Sequence, residues 1–338
     1  MRTLMGTSLA LLLSACSVPA TTGYHCTDTI ALTGDNGWDF LTVDKTARRV
    51  YISHGTEVEV LNADSGKLEG IIPNTPGVHG IAIASDLGRG FISNGKSDTV
   101  TIFDLKTRKE LSQVKTGNKP DAILYDNTTH RVFVFNGKSN NATVIDAATG
   151  KVAGTITLGG KPEFAVSDNS GHVFVNLEDK NKLLKIDARK LKILKRWSLR
   201  PGEEPSSLAI DQENHRLFVG CGNKLLIVIN ADNGKVVSVM EIGSDVDATA
   251  FDPATKLIIS SNGEGSLTVI HEDEPDKYHV VETVTTPKRS KTFALDTKTH
   301  RLFVPTAQFN PAPAPKELTP KPRPSIVPGS FAVMVFDK

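Results

Sequence analysis

One short sequence element recurs seven times along this chain. Each copy places a basic residue or histidine directly before a β-rich run, as in Arg131-Val132-Phe133-Val134. Successive copies begin 40 to 45 residues apart, and their first residues are Arg49, Arg89, Arg131, His172, Arg216, Lys256 and Arg301. A period of about 42 residues is typical of a four-stranded propeller blade. The repeat therefore predicts an all-β fold, a seven-bladed β-propeller.

Each repeat has the same inner order of four strands. Residues 122–126 illustrate the first strand and its acidic turn, and the recurring element is the second strand. The third strand alternates apolar and polar residues, as at 99–104, and the fourth follows a Gly-containing turn, as at 152–158. This period of two, rich in β-branched residues, predicts strands. Residues 24–338 show no sustained helical period.

The two ends of the repeat array predict how the ring closes. The last repeat stops after its third strand, at residues 331–336. An unpaired strand at residues 27–32, followed by Gly34, matches the fourth strands of other repeats, such as residues 237–242. We expect this N-terminal strand to complete the last blade, because closure removes an exposed sheet edge. Residues 27–338 then form a single propeller domain.

Residues 1–15 are typical of an export signal. Arg2 precedes an apolar run at residues 4–15, which is too short to span a bilayer. Residues 13–16, Leu-Ser-Ala-Cys, resemble a bacterial lipobox, which predicts cleavage before Cys16 and a lipid on its thiol. Residues 16–26 would be a short tether, and the lipid would be the chain's contact with the membrane. The alternative is a cut after Ala20 that leaves a soluble periplasmic protein.

Charge and cysteine content exclude two classes of protein. The chain has 39 Lys+Arg and 38 Asp+Glu, and this balance argues against a protein that binds polyanions through bulk charge. The basic run 189–197 falls on a predicted outer strand, where lysines protect a sheet edge. Three cysteines are too few for a disulfide scaffold. Cys26 and Cys221 fall two blades apart, so we expect no bond between them.

Several of these features together resemble a known family. They are the repeats, the turns Lys119-Pro120-Asp121 and Lys161-Pro162-Glu163, residues 77–80, and a Pro-rich stretch that ends at residues 327–330. They are similar to the YVTN/YncE-like family of exported bacterial β-propellers over roughly residues 27–338. The resemblance implies the fold and export. It leaves the activity open, because propellers host binding, scaffolding and catalysis.

The repeat register predicts which side chains surround the central channel on the ligand face. That face carries the loops from fourth to first strands and from second to third strands. The starts of the first strands bring together a set that we call the mouth: Asp39, His79, Asp121, Glu163, Ser206, Asp247 and Lys291. The ends of the second strands add His54 and four asparagines, Asn94, Asn136, Asn176 and Asn262.

The acidic residues of the mouth suggest two interpretations. Converging carboxylates repel each other, which raises some of their pKa values unless a divalent cation lies between them. Oxygen ligands suit Ca²⁺, whereas histidines favour Zn²⁺, and His79, Asp121 and Glu163 are the metal candidates. The other interpretation is that Asp and Asn at these positions cap turns through backbone hydrogen bonds.

A Pro-rich loop at residues 310–328 replaces the short loop between the second and third strands of the last repeat. Such a run favours extended polyproline conformations. It could be a lid over the mouth, an arm that docks a partner, or a stiff surface loop. If it captures a partner, deleting residues 311–327 abolishes capture and leaves folding intact.

No nucleophile elbow, haem-attachment motif, zinc-protease motif or phosphate-binding loop occurs in the sequence. We therefore favour a non-enzymatic binding or scaffolding module of the cell envelope, with a protein, peptide or small molecule on its loop face. Propellers with similar repeats include lactonases and quinoprotein-associated proteins. The alternatives are therefore a metal-assisted, lactonase-like hydrolase at the mouth, or a quinoprotein-associated propeller. A further alternative, single-stranded nucleic-acid binding through basic loops, is the least favoured.

Overall fold

Seven antiparallel sheets of four strands form this protein, seen in a computed structural model that describes residues 21–34, 36–312 and 324–338. Within these ranges the only helices are two 3₁₀ turns, Ser85–Leu87 and Glu178–Lys180. The seven sheets are the blades of a propeller, which confirms the predicted fold class. None of the helices described is long and apolar enough to cross a membrane.

The strands follow one another blade by blade. β1 (His25–Ala31) comes first in the chain but belongs to blade seven. The strands of blades one to three are β2 (Trp38–Asp44), β3 (Arg49–His54), β4 (Glu57–Asn62), β5 (Leu68–Ile72), β6 (Val78–Ala84), β7 (Arg89–Asn94), β8 (Thr99–Asp104), β9 (Glu110–Lys115), β10 (Pro120–Asp126), β11 (Arg131–Asn136), β12 (Asn141–Asp146) and β13 (Val152–Thr157). Those of blades four to six are β14 (Pro162–Ser167), β15 (His172–Leu177), β16 (Lys182–Asp187), β17 (Lys192–Ser198), β18 (Pro205–Asp211), β19 (Arg216–Cys221), β20 (Leu225–Asn230), β21 (Val236–Glu241), β22 (Val246–Asp252), β23 (Leu257–Asn262), β24 (Ser266–Glu274) and β25 (Lys277–Thr285). Blade seven adds β26 (Ala294–Asp296), β27 (Arg301–Thr306) and β28 (Ala332–Asp337).

Blade seven closes the ring as predicted. Its strand order is β26, β27, β28 and then β1, so the N-terminal strand supplies the outer edge. Ile30 pairs with Val333, and beyond the strand the Leu32 N–H donates to the Phe331 carbonyl at 3.0 Å. The strand begins at His25, two residues before the predicted start.

One aromatic side chain in each of six repeats builds much of the core between blades. The third residue of the recurring element is aromatic in six repeats, and at most 1% of it is exposed: Tyr51, Phe91, Phe133, Phe174, Phe218 and Phe303. Burying such a side chain stabilises the fold by roughly 1.5–3 kcal/mol. The repeated element is therefore both a strand and an anchor between neighbouring sheets.

Buried aspartates end many of the first strands and link the blades. Asp296 ends β26, and its carboxylate accepts the Lys298 N–H of the next turn at 3.1 Å. The same carboxylate accepts a hydrogen bond of 2.6 Å from Arg48, which lies in blade one. Asp252 of blade six likewise pairs with His300 of blade seven at 2.6 Å. Each such aspartate caps its own hairpin and fastens a neighbouring blade.

The remaining expectations for the scaffold concern the basic run and the cysteines. The basic run forms the outer strand β17 of blade four, as predicted. Cys26 is exposed on β1, Cys221 is buried in blade five, and both are free. Burial raises the pKa of Cys221 to about 12, so its thiol stays protonated. The predicted lipid site Cys16 lies outside the described residues.

Candidate functional site at the mouth

A cavity of about 740 Å³ opens on the predicted ligand face. Its walls are the loops that precede β2, β6 and β10 and the loops that follow β3, β7 and β11. Asp39 and His79 line the cavity, and exposed lysines stand at its rim: Lys96, Lys119 and Lys138. Below it, Phe40 and Phe164 meet edge to face across the channel, 5.2 Å between ring centroids. A ligand would therefore rest on the ring of blades.

Three of the mouth residues form one polar cluster. His79 Nδ1 lies 2.5 Å from Asp39 Oδ2 and 3.4 Å from Asp121 Oδ1. Burial acts to lower the pKa of His79, but the two carboxylates outweigh it and raise that pKa above its usual range. Burial raises the pKa of Asp121, and nearby Asp39 adds to this effect while His79 opposes it. The cluster thus holds a proton between two acids.

Lysines of the chain itself pair with two of the mouth carboxylates, Glu163 and Asp121. Lys161 contacts both Glu163 and Glu178, and Lys119 Nζ lies 3.8 Å from Asp121 Oδ2. Burial acts to lower the pKa of Lys161, yet its two glutamate partners raise it. Burial also raises the pKa of Glu163, and Lys161 opposes that shift. The lysines relieve only part of the expected repulsion, because burial and the nearby Asp121 still raise the pKa of Glu163 to about 8.

A second ion pair lies on the opposite side of the channel. Lys291 Nζ is 2.5 Å from Asp247 Oδ2. Burial raises the pKa of Asp247 to about 6, against the lowering effect of Lys291. Burial acts to lower the pKa of Lys291, but Asp247 outweighs it and raises that pKa.

The structure does not bring every predicted site residue to this surface. The Ser206 hydroxyl donates to the Val246 carbonyl at 2.6 Å, so it joins blades five and six. His54 is only 1% exposed, and its ring packs at a tilt against Phe331 with centroids 4.1 Å apart. Its side chain lies inside blade one because it shares a sheet face with Glu59, with which its Nδ1 makes a 3.4 Å contact.

Sequence reasoning named Lys291 but missed two other lysines that pair with mouth acids, Lys119 and Lys161. Lys119 and Lys161 each stand two residues before a predicted mouth acid, in the Lys-Pro-acid turns. This repeated Lys-Pro-acid turn, which keeps a lysine two residues from each acid, is the signal that could have found both ion pairs.

Two kinds of chemistry fit this arrangement. Ligand atoms of Asp39, His79 and Asp121 lie within 4.8 Å of one another, which is compatible with a bound cation. Glu163, the other residue of the predicted metal set, forms an ion pair with Lys161 instead. The lysines and aspartates of the cavity also fit a polar ligand that carries both positive and negative groups. Such a ligand would form hydrogen bonds to charged groups, which are the stronger ones.

A match to one protein family shows where this chain belongs. The PQQ_2 family, described as the outer membrane protein assembly factor BamB, matches residues 96–287, which is more than half of the chain. The chain belongs to this family. The matched part of this BamB-family propeller runs from the loop after β7 to the end of blade six.

Similar solved structures share the fold of this BamB-family chain. The RRP9 WD40 repeats are 10% identical with a TM-score of 0.77, covering 95% of this chain and 99% of that one. A chain of the Mitotic Checkpoint Complex is 16% identical with a TM-score of 0.71, covering 90% and 94%. Kuenenia stuttgartiensis Hydrazine Synthase is 16% identical with a TM-score of 0.71, covering 83% and 95%. A comparison with curated proteins finds no match.

Proposed function

We propose that this protein is a non-enzymatic binding module of the cell envelope that captures a segment of a partner protein at its mouth. The observation that carries the proposal is the 740 Å³ cavity, which is lined by three exposed lysines together with Asp39 and Asp98. Loops on a rigid scaffold are where propellers usually present binding residues. The family description, an assembly factor, supports a protein partner. So does the similar propeller found in the Mitotic Checkpoint Complex.

The base of the Pro-rich loop supports a part for that loop in capture. Residues 313–323 lie outside the described structure, but both flanks are ordered by the Phe309–Ile326 bridge. Trp38, which lines the cavity, lies 6.1 Å from Phe309 between ring centroids. The loop is therefore rooted at the edge of the mouth, where an arm could reach a partner.

Site-specific photocrosslinking in cells tests this proposal. A photoreactive residue at Lys96, on the rim, should give discrete adducts with a partner protein. The matched control is Lys106, an exposed lysine in the turn between β8 and β9 of the same blade, on the opposite face. Replacing residues 313–323 by a short Gly-Ser linker should reduce the Lys96 adducts and leave the melting temperature unchanged. Equal adducts from both lysines, or none from Lys96, would contradict capture at the mouth.

We further propose that the chain is exported in the manner of the YVTN/YncE-like propellers and carries a lipid on Cys16. The apolar run and the lipobox-like residues 13–16 support this location. In the same cells, fractionation should place the protein with the membranes, and Cys16→Ser should release it. A wild-type chain that is soluble and unlipidated would contradict the anchor.

A metal-assisted hydrolase is the second candidate function. It is favoured by the Asp39, His79 and Asp121 cluster, whose ligand atoms lie within 4.8 Å of one another. In that case a cation would activate water for attack on an ester or lactone. His79→Asn would then abolish hydrolysis, whereas a pure binding module has no such activity to lose.

A further inference from the structure

Blade one buries an ionisable cluster within its sheet. His54 ends β3 and pairs with Glu57 at the start of β4, and Ile52 pairs with Glu59. This register places the imidazole and both carboxylates on one face of the sheet. His54 is 1% exposed and Glu59 is fully buried, whereas Glu57 is half-buried.

Three other blades carry a neutral network at the same positions. The equivalent residues are an asparagine and two uncharged polar side chains: Asn94, Thr99 and Thr101; Asn136, Asn141 and Thr143; and Asn262, Ser266 and Thr268. In each blade the asparagine Nδ2 donates to both companions, at 2.8 to 3.1 Å. Neutral side chains can therefore make the hydrogen bonds at this buried position of the repeat. Blade one has ionisable side chains there instead.

The hydrogen bonds of blade one leave two atoms without a good partner. His54 Nε2 lies 3.1 Å from the Asn36 carbonyl, which only accepts, so Nε2 carries the proton. Nδ1 faces Glu59 Oε1 at 3.4 Å, longer than an ordinary hydrogen bond. Glu59 Oε2 is buried with no hydrogen-bond partner. In the other three blades the unpartnered atom is a neutral amide oxygen, whereas an unpaired buried carboxylate costs far more.

The geometry fits a metal ion between these atoms. Two ligands of a tetrahedral zinc ion, each 2.0–2.1 Å from the metal, lie about 3.3 Å apart. The separation of His54 Nδ1 and Glu59 Oε1, 3.4 Å, matches that edge. Histidine ligands commonly donate their other ring N–H to a backbone carbonyl, as His54 does to Asn36. Ligand atoms of His54, Glu57 and Glu59 all lie within 4.8 Å of one another.

We propose that His54, Glu57 and Glu59 bind one divalent transition-metal ion of the Zn²⁺ class inside blade one. An imidazole with two carboxylates suits such an ion better than Ca²⁺, which takes oxygen ligands. Glu57 also lines a surface cavity of about 460 Å³, which gives the ion a route from solvent. A fourth ligand can enter from that side.

The metal ion would stabilise the contact between blades seven and one, where the ring closes. The His54 ring packs against Phe331, whose carbonyl accepts the hydrogen bond from Leu32, just after β1. A Cβ on Gly34 would lie 2.7 Å from His54 Cε1, so this glycine permits the chain to cross directly above the ring. An ion that fixes His54 therefore stabilises blades seven and one together, because it binds only the folded ring.

Zinc titration of the purified, chelator-treated protein tests the site. Calorimetry and metal analysis should find one tightly bound equivalent, and zinc should raise the melting temperature. The decisive variant is His54→Asn/Glu57→Thr/Glu59→Thr, which installs the neutral network of blade two and should fold but lose that equivalent. Glu59→Gln alone should weaken zinc binding more than about 100-fold, since changes outside the ligand set already cost about 10–100-fold.

Zinc binding at two other clusters must be distinguished from zinc binding at this site. His271, Asp273 and His279 form an exposed cluster on blade six, and His79 belongs to the mouth. His79→Asn and His271→Ala/His279→Ala should each retain the equivalent that the triple variant loses. The proposal is overturned if the triple variant binds zinc as the wild type does. It is also overturned if the wild type binds none, since His54 and Glu59 would then be a simple buried ion pair.

Discussion

Individual side chains at the mouth hold their charge through close partners rather than through solvent. His79 is the clearest case, because Asp39 and Asp121 both approach its Nδ1. Their combined effect raises its pKa despite burial. A group whose pKa is raised by folding stabilises the protein fully below its unfolded pKa, near 6.5 for histidine. That stability is lost as the pH rises through the folded-state value.

Replacing Asp39 by Asn should lower the pKa of His79. The variant removes the 2.5 Å partner and leaves only Asp121, at 3.4 Å, while burial continues to favour the neutral ring. Titration of the histidine ring signals by NMR measures the change, and exposed His215 serves as an internal reference. The loss of stability above pH 6.5 should also become shallower. An unchanged His79 titration would contradict the assigned pairing.

The sequence predicted the positions of the mouth residues better than their partners. Register alone placed Asp39, His79 and Asp121 on adjacent blades, because every blade repeats the same geometry. It failed for His54, because a residue at a strand end can face the channel or the sheet interior. The choice depends on a side-chain contact with Glu59, which lies on β4 two residues beyond Glu57, the residue paired with His54. Ser206 looked available as well, but its hydroxyl is used between blades. Contacts across blades are long-range, and a single repeat does not encode them.

Between elements, the ring depends on polar links that join consecutive blades. Arg48 of blade one reaches Asp296 of blade seven and Asp64 of its own blade, each at 2.6 Å. Asp296 is fully buried, whereas 56% of the Asp64 side chain is exposed. Burial acts to raise the pKa of Asp296, but hydrogen bonds from Arg48 and Thr299 bring it below its usual range. Arg48 thus pairs with two carboxylates, one fully buried and one largely exposed.

Arg48→Ala should destabilise the protein by about 3 kcal/mol or more, because it leaves the buried Asp296 carboxylate without its cation. Chemical denaturation at pH 7 measures the loss. Asp64→Ala is the matched control, and it should barely change the unfolding midpoint because its carboxylate is well exposed. If the two variants lost stability equally, the link between blades would not be the important interaction.

At the scale of the whole molecule, one strand decides whether the blades form a ring. The sequence predicted this closure from its unequal ends, since β1 has no neighbour in the chain that could pair with it. In the structure β1 covers the edge of β28 over the full length of that strand. The repeat fixed the fold class because seven similar units have few other ways to bury their faces.

Removing β1 should leave that edge open. A chain that starts at residue 33 should melt at a lower temperature than one that starts at residue 22, and it should associate as its concentration rises. The longer chain keeps Tyr24, whose hydroxyl donates to the His300 carbonyl at 2.8 Å. Light scattering and thermal melts compare the two chains. Equal melting temperatures and a monomeric short chain would show that closure contributes little.

The direction of β1 also determines which face of the propeller a lipid on Cys16 would bring toward a membrane. His25 pairs with Asp337 at the end of blade seven that lies away from the mouth, whereas Ala31 pairs with Ala332 at the mouth end. Residues 16–24 can extend at most about 30 Å. A lipid on Cys16 would therefore bring the face opposite the mouth against the membrane, with the mouth turned toward the aqueous space. Soluble or unfolded proteins could then reach it freely, and proteins embedded in the same bilayer would meet the opposite face.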